Sequence, residues 1–150
     1  MVAMDRYNEI ILQALLVDGR ISNVDLAEKI GLSPSACLRR VQELESKGLI
    51  KGYRAVLDSA LLGVEFIAYV GVGLRDHSME SQSAFEAAIE RALEVKECHN
   101  VTGTFEYLLR VETRNLQAYK AFHADVLGAI PQVSNITTHV VMESTKDDRA

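Results

Sequence analysis

Two adjacent arginines, Arg39 and Arg40, close the stretch SPSACLRR behind Ser33, Ser35 and Ala36, and Arg54 follows in a short glycine-flanked segment. An arginine can donate two parallel hydrogen bonds to a guanine edge or to a phosphate. Small residues beside it let a helix sit deep in a groove and touch thymine methyl groups. Taken alone, Arg39 and Arg40 read as well as a solvated helix face. The elements around them must decide.

Those elements lie within Ile21–Ile50, ISNVDLAEKIGLSPSACLRRVQELESKGLI. Ser22 is suited to cap a helix whose apolar stripe is Val24, Leu26, Ala27 and Ile30, and Gly31 stops it where a left-handed residue is needed. Ser33-Pro34 starts a second helix, with serine as N-cap and proline at the first helical position, where its missing N–H is harmless. That helix runs to about Lys47 and ends at Gly48. Leu38, Val41 and Leu44 are predicted to share its buried face, leaving Ser35, Arg39, Gln42 and Glu43 to point elsewhere. Two short helices crossing closely at a tight turn make a helix-turn-helix, whose second helix can enter a major groove.

Charge supports this placement. The 150-residue chain has net charge −5, yet residues 1–57 hold eight Lys/Arg against seven Asp/Glu, and the remainder eight against fourteen. The acidity belongs to the second half, and Arg39, Arg40, Lys47, Lys51 and Arg54 form the densest basic cluster. So modest a charge predicts weak binding by one copy, hence a need to dimerise. No apolar run approaches a membrane span, and MVAMDRYNEI lacks the apolar core of a signal peptide, so the cytoplasm is the expected compartment and no membrane partner is expected.

Cys37 and Cys98 form no CxxC pair and are expected to be buried or half-buried free thiols. His77, His99, His123 and His139 lack metal-ligand spacing, and there is no GxSxG elbow or phosphate-cradling glycine loop. No metal site, cofactor or catalytic residue is expected.

Asp5–Val17 reads as a supporting first helix, and Leu49–Leu57 as a short strand or ribbon, the wing of a winged helix. Lys51 and Arg54 on it are placed either to touch phosphates or simply as solvated charges. Asp58–Gly63 is a connector. Val64, Phe66, Ala68, Val70, Val72 and Leu74 then alternate as a strand, and its other face, with Ile67, Tyr69, Gly71 and Gly73, is hardly polar. A helix follows from Ser81 to about Val95, with Phe85, Ala88, Ile89, Ala92 and Leu93 as its stripe. Then come Cys98–Thr102, a turn at Gly103, a strand over Phe105–Glu112 with Phe105, Tyr107, Leu109 and Val111 as core face, a helix marked by Leu116 to Leu127, and a last strand over Ile136–Glu143. Tyr7, Phe85, Tyr119 and Phe122 read as core. The fold class is therefore α+β: a winged helix-turn-helix (1–57), a linker (58–63) and a ferredoxin-like βαββαβ domain (64–150), an antiparallel sheet with two helices on one face.

This architecture, together with Gly19–Tyr53, ECHNVTGTFEYLL (Glu97–Leu109) and HVVMES (His139–Ser144), resembles the Lrp/AsnC (leucine-responsive, feast/famine) family of transcription regulators over nearly the whole chain. The resemblance implies a regulator that binds double-stranded DNA, dimerises through its second domain and assembles into octamers or larger arrays. It also implies a small effector, usually an amino acid, held between dimers at the GTFEY loop and nearby strands. The effector candidates are accordingly Asn100, Gly103, Thr104, Glu106, His139 and Val141; the DNA candidates are Ser33, Ser35, Ala36 and Arg39 for bases, with Arg40 and Arg54 for phosphate. The family's turn motif is Gly-Asp-(Phe/Tyr)-Asp-Tyr. Here Thr104 and Glu106 replace both aspartates, so one charge is lost and one carboxylate remains for an ammonium group. The bland alternative is that these residues merely hold a tight turn and subunit contacts.

The weakened motif keeps a second reading open, an effector-free architectural protein that wraps or bridges DNA. A third is a sirohaem decarboxylase, which shares the two-domain architecture; the Ser-Pro helix with its arginine pair argues against that enzyme.

Overall fold

The computed structural model describes residues 4–147, and the chain divides into two compact units between Val56 and Leu57. The first holds α1 (Arg6–Val17), α2 (Asn23–Ile30) and α3 (Pro34–Ser46). Each helix begins on a side chain that accepts an otherwise unpaired N–H: Asp5 from Asn8, Ser22 from Asp25 and Ser33 from Ala36. Gly31 ends α2 at φ 73°, the left-handed geometry that lets Leu32 N–H reach the Ala27 carbonyl at 3.0 Å. Ile11, Ala14, Leu26, Ala27, Ile30, Cys37 and Leu44 form the core between the three helices.

The buried face of α3 is the expected one at Val41 and Leu44 but not at Leu38. Leu38 is 45% exposed, and Cys37 beside it is fully buried. Cys37, Val41 and Leu44 stand four and three residues apart and make the inner stripe, which places Leu38 on the outer side with Arg39. Tyr7 is likewise half out of its core, 39% exposed and beneath Arg40. Leu49–Leu57 forms no strand. The Leu49 and Ile50 amides close α3 by donating to Leu44 O at 2.9 and 3.1 Å, and residues 51–57 run on as exposed irregular chain. A lone strand has no ladder, and no second strand lies among the described residues of this unit.

The second unit runs β1 (Phe66–Leu74), α4 (Met79–Glu90), β2 (Val95–Asn100), β3 (Tyr107–Thr113), α5 (Leu116–Phe122) continuing into a π-helical turn (His123–Leu127), and β4 (Val133–Val140). The sheet order is β2-β3-β1-β4, all neighbours antiparallel. Ala68, Val70 and Val72 of β1 and Tyr107, Leu109 and Val111 of β3 bury against Phe85 and Ile89 of α4 and Tyr119, Phe122 and Leu127 of the last helical segment. Both helices thus cover one face, the ferredoxin-like arrangement. The opposite face carries Ile67, Tyr69 and Gly71 beside Leu108, Arg110 and Glu112, with Arg110 ion-paired to Glu112.

Several boundaries shift from their sequence-based positions. α4 starts earlier, capped by Ser78, and stops at Glu90, so Leu93 is 84% exposed and Val95 opens β2 opposite Val111. No glycine or proline marks that stop; pairing with β3 overrides helical propensity. β4 begins at Val133, three residues before Ile136, because the ladder to β1 extends to Leu74 across a bulge. Cys98 is exposed on the edge strand β2, where the sequence predicts a buried or half-buried thiol. Phe105 belongs to a loop preceding β3, and its ring lies over Gly71, where a Cβ would come within 2.5 Å of it. Gly71 alternates with Val70 and Val72, so Phe105 covers the open face and not the core.

Replacing Gly31 with alanine should cost the first unit about 1–2 kcal/mol, because its left-handed backbone is strained for any Cβ although the space around it is open. Urea unfolding followed by helical circular dichroism checks this, and Gly31→Asn should lose less.

Candidate nucleic-acid interface and effector loop

The front of α3 is built by short-range bonds that leave one face free. Ser33 Oγ accepts the Ala36 N–H at 3.3 Å and lies 3.3 Å from Ser35 Oγ. Asn23 Nδ2 donates to the Pro34 carbonyl at 2.8 Å, tying the first turn of α2 to the first turn of α3 across the corner. Sequence reasoning passed over Asn23; an Asx residue just inside one helix and eleven positions before the start of the next gives no local signal. Ser35, Leu38, Arg39 and Gln42, at helical spacing, are all exposed and share the outward face, with Ala36 half-buried at its margin. Leu38, assigned inward by its spacing, is the apolar member of this face.

The other two basic candidates are placed differently. Arg54 is exposed on the irregular segment after α3; nearby, Tyr53 OH donates to Glu45 Oε1 at 2.8 Å. Arg40, read from sequence as a phosphate contact, is half-buried and turned toward α1. Its Nη1 donates to Asp5 Oδ2 at 2.8 Å and to Asn8 Oδ1 at 3.1 Å. The Asn8 amide first and Arg40 second hold the Asp5 carboxyl below its ordinary value. A carboxyl depressed in the folded state stabilises above its unfolded pKa and loses that contribution as pH falls through the folded value. Thermal melts of wild type should therefore weaken below about pH 4, and Asp5→Ala should show a smaller decline over the same interval.

The segment 101–106 links β2 to β3. Val101 N–H donates to Glu106 O at 2.9 Å, and Glu106 N–H donates to Val72 O at 3.1 Å. The Glu106 carboxylate then supplies one more rung to β1: Oε2 accepts the Leu74 N–H at 2.8 Å, and Oε1 lies 3.0 Å from His77 Nδ1. His77 stands on a stiffened turn. Asp76 accepts from Ser78 N–H and Ser81 Oγ, each at 2.9 Å, and the Ser78 side chain first, then these two bonds, hold its own carboxyl low. Gly103, at φ 134°, faces open space, and Thr104 is exposed beside it. His77 was not among the sequence candidates, because only the return of β3 alongside β1 brings Glu106 to it.

Asn100 ends β2 opposite Tyr107, on the helix side of the sheet, and partly offsets the upward shift of the Tyr107 hydroxyl. There Tyr107 OH donates to Glu86 Oε1 at 2.5 Å. Burial foremost, with Glu86, pushes Tyr107 up to about 12. His139 is exposed on β4 opposite Tyr69, and Val141 N–H donates to Ile67 O at 2.9 Å. These two line a shallow groove of about 640 Å³ with Tyr69 and residues 142–147. The effector candidates therefore fall into separate groups. Gly103, Thr104 and Glu106 sit at the Val72–Leu74 end of β1, and His139 and Val141 at its Ile67–Tyr69 end. Three to seven residues of strand separate these ends, roughly 10–20 Å.

Among the described residues there is no group of His, Cys, Asp and Glu that could hold a metal, and no helix is long and apolar enough to cross a membrane.

A helix-turn-helix followed by a ferredoxin-like sheet with an open face defines a two-domain DNA-binding regulator, and comparison with known proteins agrees. Residues 4–51 match the winged helix-turn-helix DNA-binding family, and residues 67–150 match the Lrp/AsnC ligand binding domain. The chain is 39% identical to a proline dehydrogenase transcriptional activator of Rhizobium radiobacter, over 96% of this chain and 92% of that one. It is also 39% identical to the leucine-responsive regulatory protein of Salmonella typhimurium, over 95% and 87%. A transcriptional regulator of Neisseria meningitidis, solved with L-methionine, superposes with TM-score 0.93 at 31% identity, covering 97% of this chain and 94% of the other. The chain belongs to the Lrp/AsnC family of DNA-binding transcription regulators. The decarboxylase reading is set aside, since these relatives are regulators and activators of transcription.

Truncating Glu106 to alanine should destabilise the second unit by about 1–3 kcal/mol, the cost of leaving a part-buried amide unpaired. Glu106→Gln keeps an acceptor for Leu74 and should lose less. Thermal unfolding measures the difference, and hydrogen exchange at the Leu74 amide should accelerate chiefly in the alanine variant.

Proposed function

We propose that this regulator reads operator DNA with the outward face of α3, as a dimer or larger assembly, and that an amino acid bound at the 101–106 loop adjusts the assembly. The observation that carries the DNA assignment is the exposed set Ser35, Leu38, Arg39 and Gln42 on a helix whose start is held by Ser33 and Asn23. Arg39 is assigned to a base edge, Ser33, Ser35 and Ala36 to close approach, and Arg54 to phosphate. Leu38 supplies an apolar contact of the kind a thymine methyl accepts.

Support for a ligand comes from the L-methionine complex of the Neisseria relative and from the loop itself, where Gly103 and Thr104 present open backbone and a hydroxyl. Glu106 contributes chiefly by holding the loop to β1 and His77. Because His139 and Val141 lie at the far end of β1, a site that uses both groups needs a second copy of the chain, which favours an effector between subunits. The open sheet face, with Ile67, Tyr69 and Leu108, is the surface on which a second copy is expected to pair, and the domain limits 1–57, 58–63 and 64–150 follow that division of labour. A regulator that acts on DNA is expected in the cytoplasm.

Mechanistically, an effector that binds one arrangement of dimers more tightly shifts the population towards it, changing the spacing of α3 helices along the duplex. A thermal-shift screen against the twenty amino acids should give a selective rise, about 2.7 kcal/mol of stabilisation at a hundredfold excess over Kd. A flat panel would instead favour the architectural reading. Arg39→Ala should weaken operator binding by about 1–3 kcal/mol more than binding to random duplex, measured by fluorescence anisotropy; equal losses would contradict base readout.

A further inference from the structure

Arg40 differs from its neighbour Arg39 in what surrounds it. One residue further round the helix, its guanidinium meets three residues of the start of α1. Nη1 donates to Asp5 Oδ2 at 2.8 Å and to Asn8 Oδ1 at 3.1 Å, and Cζ stands 5.0 Å from the Tyr7 ring centroid. Asp5 serves two helices at once, since its other oxygen accepts the Asn8 N–H at 2.9 Å and caps α1. Asn8 is itself buried, so one of these bonds lies inside the helix junction. A planar, always-charged group that stacks while it bonds suits this position, and a lysine ammonium would reproduce only the charge.

We propose that Arg40 is a positioning residue for DNA selectivity: it clamps the middle of α3 to the capped start of α1 and so sets the angle at which Ser35 and Arg39 meet a groove. The inference rests on α3 being the reading helix. It makes Asp5, an acidic residue outside the helix-turn-helix, a determinant of sequence selectivity.

The two roles open to Arg40 respond oppositely to loss of the Asp5 charge. For a phosphate contact, Asp5 is a competitor, and removing its charge frees the guanidinium and tightens binding to any duplex. For a clamp, removing it loosens α3, and selective binding alone suffers. Asp5→Asn separates them, because asparagine is as good an N-cap as aspartate and leaves α1 capped.

The test uses the full chain with two probes, the duplex that wild-type protein enriches from a random pool and an unrelated duplex of equal length. Affinities are measured between about 50 and 200 mM salt, the range over which counterion release is read. The clamp predicts that Asp5→Asn and Arg40→Lys each weaken the enriched duplex about tenfold and the unrelated one less than about twofold. It also predicts an unchanged salt slope and little further loss in the double variant. A general loss of folded protein would lower both affinities alike, so the ratio is insensitive to mere destabilisation. The clamp is overturned if Asp5→Asn tightens both duplexes, or if Arg40→Ala weakens both and lowers the salt slope by about 0.9, the signature of one lost phosphate. Arg39→Ala, run in parallel, reports on the reading helix: equal losses on both duplexes with Arg39→Ala overturn the assignment of α3, whereas the outcomes for Asp5 and Arg40 overturn the clamp alone.

Discussion

A backbone N–H withdrawn from water must find an acceptor, and both units of this protein are arranged around that requirement. In the first unit the demand arises at helix starts and is met by Asp5, Ser22 and Ser33. In the second it arises where β1 outruns β3, and the Glu106 carboxylate meets the Leu74 amide as an added rung of the sheet. Three of these side chains also position a neighbouring element. Ser33 opens α3, Asp5 holds Arg40, and Glu106 anchors the loop that carries Gly103 and Thr104.

That economy changes the meaning of the family motif at 103–107. Replacing an aspartate by the longer Glu106 keeps a carboxylate, but the extra methylene is spent in reaching back to Leu74 and His77. The neutral Thr104 then becomes the free polar side chain at the tip of the turn. A loop of this kind presents hydroxyl and backbone groups more than charge.

The first unit carries net charge of only +1 across residues 1–57, and part of its positive charge is turned inward by the Asp5–Arg40 pair. Nonspecific attraction to DNA scales with the phosphates neutralised. So small a net charge leaves little of that bulk attraction to the first unit.

Local patterns carried much of this fold. N-caps at Ser22 and Ser33, proline at a first turn, glycine at φ 73° and the alternation of Ala68, Val70 and Val72 each act within a few residues, so their physics is written in adjacent letters. The helix-turn-helix and the βαββαβ order were legible for that reason. Where sequence reading erred, a distant partner had decided the outcome. Leu38 and Cys37 exchanged places because α1 and α2 select which stripe of α3 is covered. The expected ribbon after α3 found no strand to pair with, and Phe105 left the core face because its loop folds over Gly71. Arg40 looked like Arg39 in the sequence; only the arrival of Asp5, Asn8 and Tyr7, more than thirty residues earlier in the chain, separates them. What the letters alone determined is which segments can form helices and strands, because propensity and capping are local. Which side chains meet, and so which arginine stays exposed and which carboxylate holds a loop, belongs to the tertiary structure, because those contacts join residues that the sequence keeps far apart.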